Sequence, residues 1–322
     1  MKKIFLSLFA VIALSYSASA QSTDRHALSL GASLGFLKGE GEKIVYRGTG
    51  SNDKLSQLLW KMDPLFYAGI DAHYEWQRPE KRRSVFADTL IKFGFPSEAG
   101  IMEDRDWIAL NYPGFLTHYS VHDNKTEDAV IFDMDAGMSF HLFKTFLLKT
   151  YISYNFMRFS WRANGGSILH PSWDSNNDGK PDGDHSYLMP IDVITYEQSW
   201  HTLSPGIAFY GEFNRYFDID ISLELSPFVW SSGRDNHILR NLVITEDLGG
   251  GFFVEPRFVF SFKPNDILTV SLSAAYKKIS GARGNSTYNE NGQVQTDIPK
   301  QIGGAGYAAF DTGIVAKFNI IK

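Results

Sequence analysis

The sequence predicts an all-β protein: a single antiparallel transmembrane β-barrel of about ten strands with five long extracellular loops. Three observations predict it. The first is strict alternation, clearest in "FDIDISLEL" (217–225), where Phe217, Ile219, Ile221, Leu223 and Leu225 alternate with Asp218, Asp220, Ser222 and Glu224. Successive strand side chains point to opposite faces, so one face is greasy and the other charged. The second is recurrence: the pattern returns along the whole chain, with aromatics crowding the segment ends as in the girdles of membrane barrels. The third is the rhythm of the connections, which alternate between short turns and long polar stretches.

In order, residues 1–20 read as a signal peptide and 21–322 as one barrel domain. Lys2 and Lys3 form a basic start, 4–14 an apolar stretch and Ala18-Ser19-Ala20 a small-residue cleavage site. Losing two lysines and no acids moves the net charge from −5 to −7, which predicts no nucleic-acid partner. With no Cys in 322 residues, the exported fold must close its own hydrogen bonds without disulfide staples. After residue 20 no apolar run is long enough for a transmembrane helix. Strands are expected at 26–37, 65–77, 84–95, 129–143, 146–163, 195–213, 217–225, 250–262, 268–279 and 306–320. Short turns join them at 78–83, 144–145, 214–216 and 263–266, and long loops at 38–54, 96–127, 164–194, 232–245 and 280–304. An even strand number closes the sheet and leaves no edge exposed to lipid.

Two of the long loops carry chemistry. "IMEDRDWIAL" (101–110) sets Asp104 and Asp106 two residues apart, and "SSGRDNHIL" (231–239) does the same with Asp235 and His237. Taken singly, each is also what an ordinary polar loop tip looks like. In extended backbone, residues i and i+2 project the same way, so each pair can aim at one point. A His beside a carboxylate is a general base with its ring orientation fixed. Two neighbouring carboxylates do not both ionise easily, so one can hold a proton near neutral pH. Facing each other across a barrel mouth, the pairs could hold and deprotonate a water.

The segments "GEGEKIVY" with "KLSQLLWK", then "MEDRDW", "RFSWRANGGS", "SSGRDNH" and "ARGNST" come in one order over nearly all of the chain after residue 20. In that order they resemble the omptin family of outer-membrane proteases, which are ten-stranded barrels. The resemblance implies an outer-membrane endopeptidase whose site faces the exterior. Asp104, Asp106, Asp235 and His237 match its catalytic residues, and Trp107 its loop brace. The implied mechanism is attack of a water on a peptide carbonyl, with His237 as base, Asp235 orienting it, Asp104 bracketing the water and Asp106 tuning Asp104. No cofactor is needed for that chemistry. An older idea for such enzymes used a serine nucleophile, and Ser120, near His122, is its counterpart here.

The sequence departs from the family where a pocket acid should stand. Lys43 takes one such position and Gly233 the other, while Arg105 and Arg234 interrupt the two pairs; with fewer acids and more arginines, preference for basic substrates is put in doubt. Tyr154 and Arg158 match two positions that bind lipopolysaccharide on the outer wall, although Phe156 and Ser199 replace two others. Outside the family pattern, Asp174, Asn176, Asp178, Gly179 and Asp182 follow the spacing of calcium loops, with His185 where a Glu would close the set. The expected partners are polypeptide substrates and outer-membrane lipid, with the barrel a monomer. The competing function is a non-catalytic barrel acting as adhesin or pore. A secreted calcium-binding β-sandwich would explain 173–185 but not the alternation of long loops with short turns.

Overall fold

The computed structural model describes residues 25–48, 52–78, 82–109, 114–169, 176–177, 186–295 and 302–321. The signal peptide (1–20) lies outside them, as do Asp174, Asp178 and Asp182 of the calcium-like loop; Asn176 is described, in a turn. Among the described residues, fifteen strands follow one another in one sheet: β1 (Arg25–Tyr46), β2 (Lys54–Arg78), β3 (Arg83–Gly94), β4 (Ser97–Asp106), β5 (His118–Phe143), β6 (Phe146–Leu169), β7 (Ser186–Leu188), β8 (Asp192–Asn214), β9 (Phe217–Ser226), β10 (Val229–His237), β11 (Leu242–Gly249), β12 (Phe252–Phe262), β13 (Leu268–Glu290), β14 (Gln293–Val294) and β15 (Ile302–Ile321).

These strands make about ten staves, because three staves are each interrupted once and the short β7 and β14 pair only with the ends of β6 and β13. β3 and β4 both lie between β2 and β5, parted at Phe95-Pro96; β9 and β10 both follow β8, parted at Pro227; β11 and β12 both precede β13, parted at Gly250-Gly251. Proline has no amide hydrogen to give the ladder, so the pairing lapses there. Gly250 and Gly251 have φ of +73° and +91°, a left-handed backbone that side chains disfavour. The last strand, β15, pairs antiparallel with the first, with Leu34 opposite Ile314, and this closes the ring. Each of the ten staves then has two neighbours, and no stave leaves a backbone edge to lipid.

Strand β9 shows how the sequence chooses its faces. Ile221, Leu223 and Leu225 are exposed on the outer wall, while Asp218 and Glu224 are buried in the lumen. Ile221 lies beside Phe209 of β8 and Phe258 of β12, both also exposed, so a continuous apolar band faces outward. Inside that band the lumen is ionic. Lys277 reaches Asp133 at 3.3 Å and Glu255 at 3.0 Å, Arg257 reaches Glu255 at 2.6 Å, and Lys317 reaches Asp71 at 2.9 Å. Buried charges persist only when paired in this way. A cavity of about 340 Å³ lies among them, lined by Asp71, His73, Asp88, Lys92, Asp311 and Lys317.

Further along the barrel the lumen turns aromatic. Trp60 of β2 stacks on Trp161 of β6 at 5.9 Å and on Tyr196 of β8 at 5.7 Å, and Phe159 stacks on Trp161 at 5.3 Å and on Tyr307 at 5.4 Å. With Trp200 and Met157 they are almost wholly buried and fill the interior as a plug. At this height the outer wall changes too: Lys38–Asp63 (2.7 Å), Arg158–Glu197 (2.6 Å) and Arg162 with Glu127 (2.6 Å) and Asp192 (2.7 Å) replace apolar side chains with exposed or half-buried ion pairs. The barrel has left the lipid but has not ended.

The long polar stretches therefore differ from their sequence reading. Much of 38–54, 96–127, 164–194, 232–245 and 280–304 is strand: β1 runs on to Tyr46, β4 and β10 are new strands within them, and β13 continues to Glu290. Above the membrane the outer face needs no apolar residues, so the alternation that reveals a lipid-facing strand is lost while the backbone ladder continues.

Candidate functional site

Asp104 and Asp106 are strand residues near the end of β4, not loop residues, and Asp235 and His237 end β10 in the same way. Alternation then turns each pair to one face. The same rule turns Arg105 and Arg234 to the other: Arg105 bonds Glu103 at 2.6 Å, and Arg234 is exposed on the outer wall. The two arginines thus do not load the lumen with positive charge, which corrects their sequence reading. Between β4 and β10 stand β5, β6 and β8, so the two pairs project from nearly opposite walls of the ring.

On the β4 side, the Ser56 hydroxyl donates to Asp104 Oδ1 at 3.4 Å, and Asp106 lies opposite Ser56 on β2 and His118 on β5. Burial, then the charges of Asp106 and Asp235, push the Asp104 carboxyl well above the usual range. Burial also raises Asp106, against the pull of Ser56, His118, His237 and Arg240. Lys43, on the rung of Leu58 and Asp104, reaches Asp235, so the two pairs look into one mouth, and the influence of Asp235 on Asp104 and of His237 on Asp106 agrees with this. Trp107, just beyond, has its carbonyl bonded by Arg47 and its amide bonded to the Leu55 carbonyl at 2.9 Å, which pins the backbone as a brace would.

On the β10 side, His237 Nε2 lies 3.0 Å from Asp235 Oδ2. Asp235 has no exposed surface, whereas His237 keeps about a fifth of its side chain in solvent (19%). The same oxygen, Oδ2, accepts a bond from Lys43 Nζ, and Lys43 is itself buried. Burial alone would raise the Asp235 carboxyl; Lys43 and His237 outweigh it and hold Asp235 well below the usual carboxylate range.

Lys43 is the residue whose role the sequence reading missed. It looked like the loss of a pocket acid and is instead the third member of the Asp235–His237 group. Glu246 was missed altogether. It sits on β11 directly across from Gly233, and a Cβ at Gly233 would come within 2.7 Å of Glu246 Oε2. The glycine thus leaves room for an acid delivered from the neighbouring strand, so the acid count of this region is not lowered as expected. Burial pushes Glu246 up to about 7, offset by Lys43 and reinforced by Asp235. The signal was present: pairing His237 with Leu242 as a hairpin sets Gly233 opposite Glu246.

Ser120 lies across β4–β5 from Asp104, and His122 Nε2 sits 2.9 Å from its hydroxyl, with His122 Nδ1 held 2.6 Å from the Gly165 carbonyl. Its neighbour is therefore His122, and Asp235 and His237 are on another wall. Tyr154 and Arg158 share the outer face of β6 where the apolar band gives way to ion pairs: the Tyr154 hydroxyl lies 2.7 Å from His201 Nδ1, and Arg158 pairs with Glu197.

A closed antiparallel barrel with an apolar outer band, an ionic lumen and an aromatic plug defines the class of outer-membrane β-barrel proteins. The sequence matches the Omptin family over residues 24–320, so the chain belongs to the omptin family and is an outer-membrane protease. Among solved structures, the outer membrane protease OmpT from Escherichia coli matches with a TM-score of 0.77 at 19% identity, over 94% of this chain and 99% of that one, a likeness of fold. The toluene transporter TodX from Pseudomonas putida (TM-score 0.36, 8% identity, 92% of this chain and 90% of that one) lies much further away. So does the transport unit of the autotransporter AIDA-I from Escherichia coli (TM-score 0.36, 9% identity, 95% of each chain). No protein of curated function matches the sequence.

Proposed function

We propose that this protease is an endopeptidase of the aspartate/histidine type, cutting exposed polypeptides at the exterior mouth of the barrel by attack of an activated water. The observation that carries this reading is the Asp235–His237 bond, which turns Nε2 of the ring to the carboxylate and leaves Nδ1 available to a water. His237 takes the proton as the water attacks the carbonyl. Asp235 stays ionised and stabilises the imidazolium that forms. Asp104, raised by burial and by its acidic neighbours, shares a proton with the water or the developing oxyanion from the facing wall, and Asp106 sets how readily it does so. A monomer suffices, since both pairs come from one ring. Tyr154 and Arg158 would meet outer-leaflet headgroups, Tyr154 as girdle and Arg158 as a rim cation.

The Ser120–His122 contact favours a second reading, a serine nucleophile. It ranks lower because both groups are buried and His122 is steadied by a backbone carbonyl rather than a carboxylate. The cleavage rate of one peptide across three variants decides. His237→Ala and Asp104→Ala are each expected to lose about a hundredfold or more, with the barrel still folded, whereas Ser120→Ala keeps most activity. Wild-type activity falls at acid pH, where an imidazole base carries a proton. A dead Ser120→Ala beside an active His237→Ala would replace the water mechanism with the serine one. A wild type with no peptidase activity on any peptide would leave the adhesin reading.

A further inference from the structure

One feature of the mouth is not needed to make an Asp–His pair: the buried lysine that shares its carboxylate. Lys43 comes from β1, at the rung shared by Leu58 of β2 and Asp104 of β4, and crosses to Asp235 on the far wall. It donates to Oδ2, the oxygen that His237 Nε2 also contacts. Glu246 of β11, Tyr196 of β8, Tyr288 of β13 and Asp104 of β4 each feel the charge of Asp235, while His118, His237 and Arg240 act on Asp106. The surroundings are thus dominated by acids and phenols. A wholly buried carboxylate among acids would take up a proton unless a cation opposed it.

We propose that Lys43 is a positioning residue for the Asp235–His237 pair: its ammonium keeps Asp235 a carboxylate that can only accept, which fixes His237 with its proton on Nε2 and Nδ1 free to receive a proton from water. A protonated Asp235 would instead donate to Nε2. The ring proton would then sit on Nδ1, the nitrogen the reaction needs bare, and the base would be disabled without any atom moving far. The depressed Asp235 carboxyl, with Lys43 the strongest opposing influence to burial, agrees with this geometry. The inference deepens the water mechanism above and rests on it for its catalytic consequence, though not for its structural one.

The experiment uses the full chain refolded in detergent micelles. Nitrogen-15 spectra of the His237 ring in wild type are expected to show the Nε2–H tautomer at pH values where the ring is neutral. Lys43→Gln, which keeps a hydrogen-bond donor but no charge, is expected to populate the Nδ1–H form. It should also move the acid limb of the peptide-cleavage profile up by about one pH unit, because without the ammonium the Asp235–His237 pair takes up its proton at higher pH. A lysine that only fills space would lower stability or rate and leave the limb and the tautomer where they were. An Nδ1–H ring in wild type overturns the proposal without any variant, so misfolding of Lys43→Gln does not shelter it. So does a folded Lys43→Gln with unchanged tautomer and acid limb. If instead His237→Ala still cuts, the water mechanism fails while the tautomer result stands on its own.

Discussion

At the scale of single residues, the mouth concentrates ionisable groups that a merely stable protein would avoid. Asp104 is the clearest case, raised by burial first and then by Asp106 and Asp235. A carboxyl raised in the folded state binds its proton more tightly there than in the unfolded chain. Its contribution to stability is therefore fully present below about pH 4, the unfolded value, and is lost as pH rises through the folded one. Asp104→Asn carries no such charge. It is expected to match wild type in stability at acid pH and to exceed it increasingly towards pH 8, while losing activity. Urea unfolding in liposomes at both pH values checks this; a gap independent of pH would mean that the charge of Asp104 is not what costs the fold. Such a trade of stability for function is common at active sites. The types and spacing of Asp104, Asp106, Asp235 and His237 were legible in the sequence because i, i+2 spacing has one geometric meaning in extended chain. Lys43 and Glu246 were not, because their meaning depends on what stands across the lumen or on the next strand.

At the scale of elements, each membrane strand is set by alternation and each extension by its neighbours. Ile221, in mid-strand on β9 between Phe209 and Phe258, faces outward from the barrel. Ile221→Arg is expected to destabilise the folded barrel by about 2–4 kcal/mol, the cost of arginine near a bilayer midplane. Reversible urea titration in liposomes measures it. A cost near zero would place Ile221 outside the hydrocarbon. Arg234, on the outer face of β10, is the natural comparison: it already lies beyond the apolar band, and Arg234→Ala should change stability little. The register of β10 on β11 was open to a hairpin reading around 238–241, where Asn241 takes the left-handed backbone of a turn (φ +48°). What hid it was the polar composition of 232–245, which is equally that of a loop.

At the scale of the whole molecule, the barrel encloses a lumen that is ionic within the membrane band and aromatic above it. The plug of Trp60, Phe159, Trp161, Tyr196 and Tyr307 separates the candidate site from the cavity below. Wild-type protein in a planar bilayer is expected to pass no steady current, which distinguishes it from the pore reading. A double Trp60→Ala, Trp161→Ala barrel should leak ions, if it tolerates losses of about 3–5 kcal/mol for each buried tryptophan. Steady conductance from the wild type would show that the rings do not seal the lumen. The plug also offers the extended strands a core to close around where lipid no longer holds them.

The sequence by itself determined the class of fold, the approximate number of staves, the lipid-facing side of the strand at 217–225 and the four residues of the two acid-bearing pairs. Those properties are local: alternation of period two, proline and glycine interruptions, and i, i+2 spacing act through the chain's own backbone. Tertiary structure alone decided that the polar stretches continue as strands, that Arg105 and Arg234 turn away from the lumen, that Glu246 occupies the space left by Gly233, and that Lys43 joins Asp235. Each depends on which staves face one another once the ring is closed. A side chain crossing a lumen answers to residues nearly two hundred positions away, as Lys43 does to Asp235, and no local pattern in the chain encodes that meeting.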